Sequence, residues 1–222
     1  MRPERFLFVA AILAALSGCG HTVNDYLAEA KEGSPGAVTE AVAAVGEVLK
    51  QKEDAGLPFD AADKEALLYI KDVAATKREP TSRAAALRAL AELRNADAAD
   101  VFRAALKDSF WLARLHAIVG VEQNPSPGVL EPLREVATSD PRPEVRRTAV
   151  RAIKAVGGKD ALRVLLEIYL DPPQADRQSQ LLAYRGVREL SGQSFSFDEQ
   201  GQWRVFYDKT YRAAAAPPPR GP

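Results

Sequence analysis

The feature that most constrains this chain is an internal repeat. Arg83, Ala86, Ala89 and Leu90 set out the pattern Arg-x-x-Ala-x-x-(Ala/Gly)-apolar. Arg114, Ala117, Gly120 and Val121 restate it, and so do Arg146, Ala149, Ala152 and Ile153. Gln180, Ala183, Gly186 and Val187 make a fourth copy with Gln in place of Arg. The signature alanines stand 31, 32 and 34 residues apart, enough chain for one helix pair per unit. Such a unit cannot bury an apolar face alone, so copies must stack into a continuous core.

Between residues 36 and 190 the apolar residues recur with helical spacing, and the alternation expected of strands is hard to find. Breakers fall at Gly56 with Pro58, Pro80, Asn95, Asn124 to Pro127, Asp140 to Pro143, Gly157-Gly158 and Asp171 to Pro173. They cut the chain into helices expected to be roughly ten to fifteen residues long. Ala or Gly at spacing three on one helix face lets a neighbouring helix approach closely, so these residues mark the seam. The preceding helices carry their own apolar stripes: Leu67, Leu68 and Ile70; Val101, Phe102 and Leu106; Val129, Leu130, Leu133 and Val136; Leu162, Leu165, Leu166 and Ile168.

Asp108 and Asp140 each stand six residues before a signature arginine, Arg114 and Arg146. With Asp140-Pro141-Arg142-Pro143-Glu144-Val145-Arg146 and the closing Gly157-Gly158, this resembles HEAT-type repeats, particularly the short bacterial variety. The resemblance covers about residues 60 to 192. It implies an all-α fold, a right-handed α-solenoid of about four helix pairs, and a ladder between adjacent repeats built from Asp108, Arg114, Asp140 and Arg146. Lys77 stands six before Arg83, and Gln180 replaces the last arginine, so the ladder is expected only in the centre. Tetratricopeptide and ankyrin arrays have similar periods, but their motifs are absent. Residues 193–212, with Trp203, Phe206 and Tyr207 on one helical face, are expected to cap the array. Residues 213–222, AAAAPPPRGP, read as a flexible tail.

The N-terminus has a different character. Arg2 and Arg5 precede an uncharged run, Phe6 to Leu16, which is too short to span a bilayer comfortably and has the layout of a signal peptide. Leu16-Ser17-Gly18-Cys19 resembles the bacterial lipobox, whose cysteine is acylated and becomes the new N-terminus. The expected division is a removed signal at 1–18, a lipid-anchored tether at 19–35 that includes a short helix at Asp25 to Lys31, and a solenoid at 36–192 that begins with a degenerate helix at 36–50. Cys19 is the expected lipid attachment site and places the protein in the cell envelope. Gly20, where Asp would favour inner-membrane retention, points to the periplasmic face of the outer membrane in a Gram-negative cell.

Composition matters mainly for what it excludes. The 30 basic and 30 acidic side chains cancel, which argues against a general nucleic-acid binder. One cysteine excludes an intramolecular disulfide, and two distant histidines offer no ligand pair, so no metal or cofactor is expected. No nucleophile elbow, Walker loop or dinucleotide fingerprint occurs, and the chain is read as a non-enzyme. His116, on a repeat helix, reads as a packed or partly exposed side chain.

Two and five residues after the signature alanines stand Arg88, Arg151, Arg185, Lys154 and Arg188, a candidate binding ridge. Glu92 and Glu189, four residues after Arg88 and Arg185, have the spacing of ordinary surface ion pairs. The expected role is a protein-binding scaffold whose partner is another envelope protein. The alternatives are a self-associating structural component and a HEAT-fold enzyme of the bilin-lyase type.

Overall fold

The computed structural model describes residues 22–76, 79–172 and 176–212. Cys19, His21, Lys77 and the 213–222 segment lie outside them. The fold is an all-α solenoid repeat: the described residues contain eleven α-helices and no strand. None of these helices is long and apolar enough to cross a membrane. The chain divides into two compact units, at Met1–Asn124 and Pro125–Pro222.

The first unit holds α1 (Val23–Glu32), α2 (Pro35–Asp54), α3 (Ala61–Ala75), α4 (Pro80–Glu92), α5 (Ala99–Ala105) and α6 (Trp111–Gln123). Local chemistry sets the starts. Thr22 and Asp60 close capping boxes with Asp25 and Asp63, while Ser34 and Glu79 cap helices that open on Pro35 and Pro80. Helices α1, α3 and α5 contact one another in succession, as do α2, α4 and α6. The result is two layers, with Val42, Leu49, Ile70, Leu87, Leu90, Phe102 and Ile118 buried in the unit's core. Asp63 is also fully buried, held by Lys52 Nζ at 2.6 Å and by the Asp60 backbone N–H at 2.9 Å.

The second unit holds α7 (Leu130–Ser139), α8 (Pro143–Val156), α9 (Gly158–Leu170), α10 (Arg177–Ser191) and α11 (Gln200–Tyr207), followed by a π turn at Asp208–Arg212. The same layering recurs: α7 contacts α9, α9 contacts α11, and α8 contacts α10. Helix α11 therefore takes the place of the first helix of a further pair and closes the layer. Its Trp203 is wholly buried, edge-on to Tyr169, Tyr184, Phe195 and Phe206, and donates from Nε1 to the Ser196 carbonyl at 3.1 Å. The Tyr169 hydroxyl donates to the Phe197 carbonyl, and Tyr184 donates to Phe195 at 3.1 Å.

The small-residue seam is real in both units. Ala86, Ala117, Ala149 and Ala183 are completely buried. A Cβ on Gly46 would meet that of Ala89 at 2.6 Å, and one on Gly120 would meet the Phe102 ring at 2.4 Å. Such distances leave no room for a side chain.

The short helix expected at Asp25 to Lys31 runs from Val23 to Glu32; its Val23, Leu27 and Ala30 are buried, and it packs on α2 and α3. The four expected pairs are α3 with α4, α5 with α6, α7 with α8 and α9 with α10; α1 and α2 precede them, and α2 runs for 20 residues. One expectation needs correction. Leu68 stands 66% exposed, outside the stripe assigned to it, because Ile70, Ala66 and Val73 supply the inward face of α3.

Candidate binding surface

The ladder residues show how one carboxylate serves two repeats. The Asp108 carboxylate accepts a bidentate pair from Arg83 of the preceding repeat, Nε and Nη2 both at 2.7 Å, and the Phe110 backbone N–H at 2.8 Å. Its own carbonyl accepts Arg114 Nη1 at 2.8 Å. The six-residue spacing thus joins Arg114 to the backbone of its own turn, and the Asp108 carboxylate is left for Arg83 of the preceding repeat. Arg146 repeats the arrangement, donating Nη1 to the Asp140 carbonyl at 2.8 Å and Nη2 to the Asp176 carboxylate at 3.0 Å. The buried Asp140 accepts the Arg142 backbone N–H at 2.9 Å.

The ladder is therefore not confined to the centre. Arg83 joins it without an aspartate six residues earlier, because the bond it makes is to the next repeat. Asp176 joins it although it stands four residues before Gln180. It caps α10 through the Gln178 and Ser179 N–H groups and the Ser179 hydroxyl. Gln180, in the arginine's place, donates to the Tyr169 carbonyl at 2.9 Å. Burial pushes the Asp108 and Asp176 carboxyls up, but hydrogen bonds and arginine charge outweigh it and hold both below the usual carboxylate range.

The ridge candidates fall in both units. In the first, Arg88 on α4 is exposed and lies 3.6 Å from Glu92, while the position two beyond Ala117 is the half-buried Val119. His116 is half-buried as well, and burial, aided by the Arg88 charge, holds its imidazole below the ordinary value. In the second unit, Arg151 and Lys154 on α8 stand with Arg185 and Arg188 on the adjacent α10. Glu189 pairs with Lys154 of the preceding repeat at 2.8 Å, not with Arg185 as its spacing suggested. Inter-repeat stacking brings Lys154 beside α10, where its stem lies over the buried Gly186. Arg188 lies over the Tyr184 ring at 5.8 Å, and Arg151 donates to the Thr148 hydroxyl at 3.4 Å.

The structure adds three residues that the repeat spacing did not single out. Arg177, Leu181, Arg185 and Arg188 are all exposed at helical spacing along α10, and Arg147 precedes Arg151 by one turn on α8. Their signal was present as period four within a helix, but the comparison between repeats skipped it. Besides the buried Arg146, six cations on α8 and α10 stand against two exposed carboxylates, Glu144 and Glu189, and one of the six, Arg147, lies 3.8 Å from Asp176.

A family model described as HEAT repeats matches residues 67–137 and again 103–185, together more than half of the chain. No curated protein matches it significantly.

Proposed function

Because the chain belongs to the HEAT-repeat family, we propose that it is a protein-binding scaffold held at a bacterial membrane through acylated Cys19. Stacked helix pairs offer extended surfaces for association without a reaction centre. The observation that carries the reading is the exposed basic face of α8 and α10, where Arg151, Arg185 and Arg188 stand free of the carboxylate expected to neutralise one of them. In a chain of zero formal charge such a local excess marks where a complementary partner would dock. The anchor follows from the N-terminal pattern: several acyl chains, each buried CH₂ contributing about 0.8 kcal/mol, hold a protein at a bilayer without a spanning helix. The partner is an envelope protein, the location the periplasmic face of the outer membrane in a Gram-negative cell, and the role binding rather than catalysis.

The test is crosslinking and pull-down from native envelopes, comparing the wild-type chain with Arg151→Glu, Lys154→Glu and Arg185→Glu combined. A discrete partner captured by the wild type and lost from the triple variant, with helicity unchanged, supports the reading. Equal capture by both removes the basic face, and recovery of the chain itself alone makes it a self-associating component.

A further inference from the structure

A second feature of the same unit is independent of the partner-binding reading. Helix α7, the C-terminal end of α9, α11 and the turn after it line a cavity of about 330 Å³ open to solvent, to which Arg134, Arg204 and Arg212 and the acidic Glu167 and Asp171 all contribute. This is the small end of the range for ligand pockets, roughly 300–1,000 Å³. Most of its charges are already partnered. Glu167 Oε1 accepts Arg163 Nη1 at 2.9 Å and the Tyr207 hydroxyl at 3.0 Å. Arg134 gives only Nε, to Glu131 at 2.8 Å, and Arg212 lies 3.2 Å from Asp208 and over the Tyr207 ring.

Two opposite charges remain. The Arg204 guanidinium and the Asp171 carboxylate have no ion pair or side-chain hydrogen bond among the described residues, although both line the cavity. Asp171 is the C-cap of α9, so the negative end of that helix adds to its charge. The cavity therefore carries both signs: unused guanidinium donors, and a carboxylate at a helix end. A simple anion would meet Asp171, and a simple cation would meet three arginines. A ligand carrying both charges meets neither repulsion.

We propose that this cavity binds a small zwitterion, a free amino acid or a short peptide, with its carboxylate against Arg204 and Arg134 and its ammonium against Asp171. The walls are open to solvent, so binding weakens as salt rises. The test is calorimetric titration of the purified chain at low salt with alanine, alanyl-alanine, succinate, putrescine and a terminally blocked alanyl-glutamate. Alanine or alanyl-alanine should bind, the better of the two naming the source, and succinate and putrescine should bind at least tenfold more weakly. Arg204→Ala should lower zwitterion affinity about tenfold, roughly 1.4 kcal/mol. Asp171→Asn should shift the preference toward succinate, and since both residues are exposed, unchanged melting temperatures establish that the variants are folded. No binding by either zwitterion, or equal binding of succinate or the blocked peptide, overturns the proposal. So does a double-mutant cycle in which Arg204 and Asp171 couple in the ligand-free chain, because they would then be each other's partners.

Discussion

Asp108 and Asp176 each shape the start of one repeat helix and grip the arginine of the preceding repeat, so the two ends of a rung are not equivalent. Removing Asp176 leaves the Arg146 guanidinium, 6% exposed, without its carboxylate and strips the cap from α10. Asp176→Ala should cost about 3 kcal/mol by urea denaturation, the range for breaking a buried ion pair. Arg146→Met should cost less, since Asp176 keeps the Gln178 and Ser179 N–H groups and the Ser179 hydroxyl. The reverse order would contradict this account of the rung. Asp108 and Asp176 have folded pKa values below the ordinary one. Their stabilisation is therefore present above about pH 4 and is lost as pH falls below it. An acid titration followed by circular dichroism should show wild-type stability falling there, and Asp176→Asn should flatten that dependence. The sequence showed the six-residue spacing, but not which carboxylate each arginine takes, because the bonding partners lie 25 to 30 residues apart.

Helix boundaries follow caps and breakers, whereas helix contacts follow volume. Gly46→Ala sets two backbone-borne methyl groups against each other, and Gly120→Ala drives one into the Phe102 ring; each should destabilise by about 1–3 kcal/mol. Gly186→Ala meets only the tip of Leu165 at 2.9 Å and the Lys154 stem. It should be close to neutral, since the helix gains about 1 kcal/mol from the better propensity of Ala. Chemical denaturation of the three variants separates these cases. In the cap, Trp203→Ala should cost about 3–5 kcal/mol and remove most near-ultraviolet dichroism. Burial, with nearby tyrosine and carboxylate charge, pushes the Tyr169 hydroxyl up to about 12. The neutral hydroxyl therefore contributes stability in full below about pH 10, and that contribution is lost as pH rises toward 12. Burial also raises Tyr207 and Tyr211, so absorbance at alkaline pH should show several tyrosines ionising late, together with loosening of the cap; the latest step should disappear in Tyr169→Phe.

For the molecule as a whole, the neutral balance of charge supplies no pull toward an anionic membrane, so the proposed acylation of Cys19 is what would set location. Cys19→Ser should move the protein from the membrane to the soluble envelope fraction; retention in membranes would count against acylation at that residue. The division at Asn124–Pro125 was hidden among several equivalent breakers, since a single sequence does not say across which break the contacts thin. Helix α1 was legible as a short helix, but its packing was not: three buried residues, Val23, Leu27 and Ala30, are too few for a clear stripe until α2 and α3 cover them. By itself the sequence determined the helical class, the repeat period and the small-residue seam, because each is written in spacings of three to about thirty residues along one chain. Only the tertiary structure decided the rung partners, the choice of Lys154 by Glu189 and the cavity lined by both charges, because each depends on which distant side chains the stack brings together.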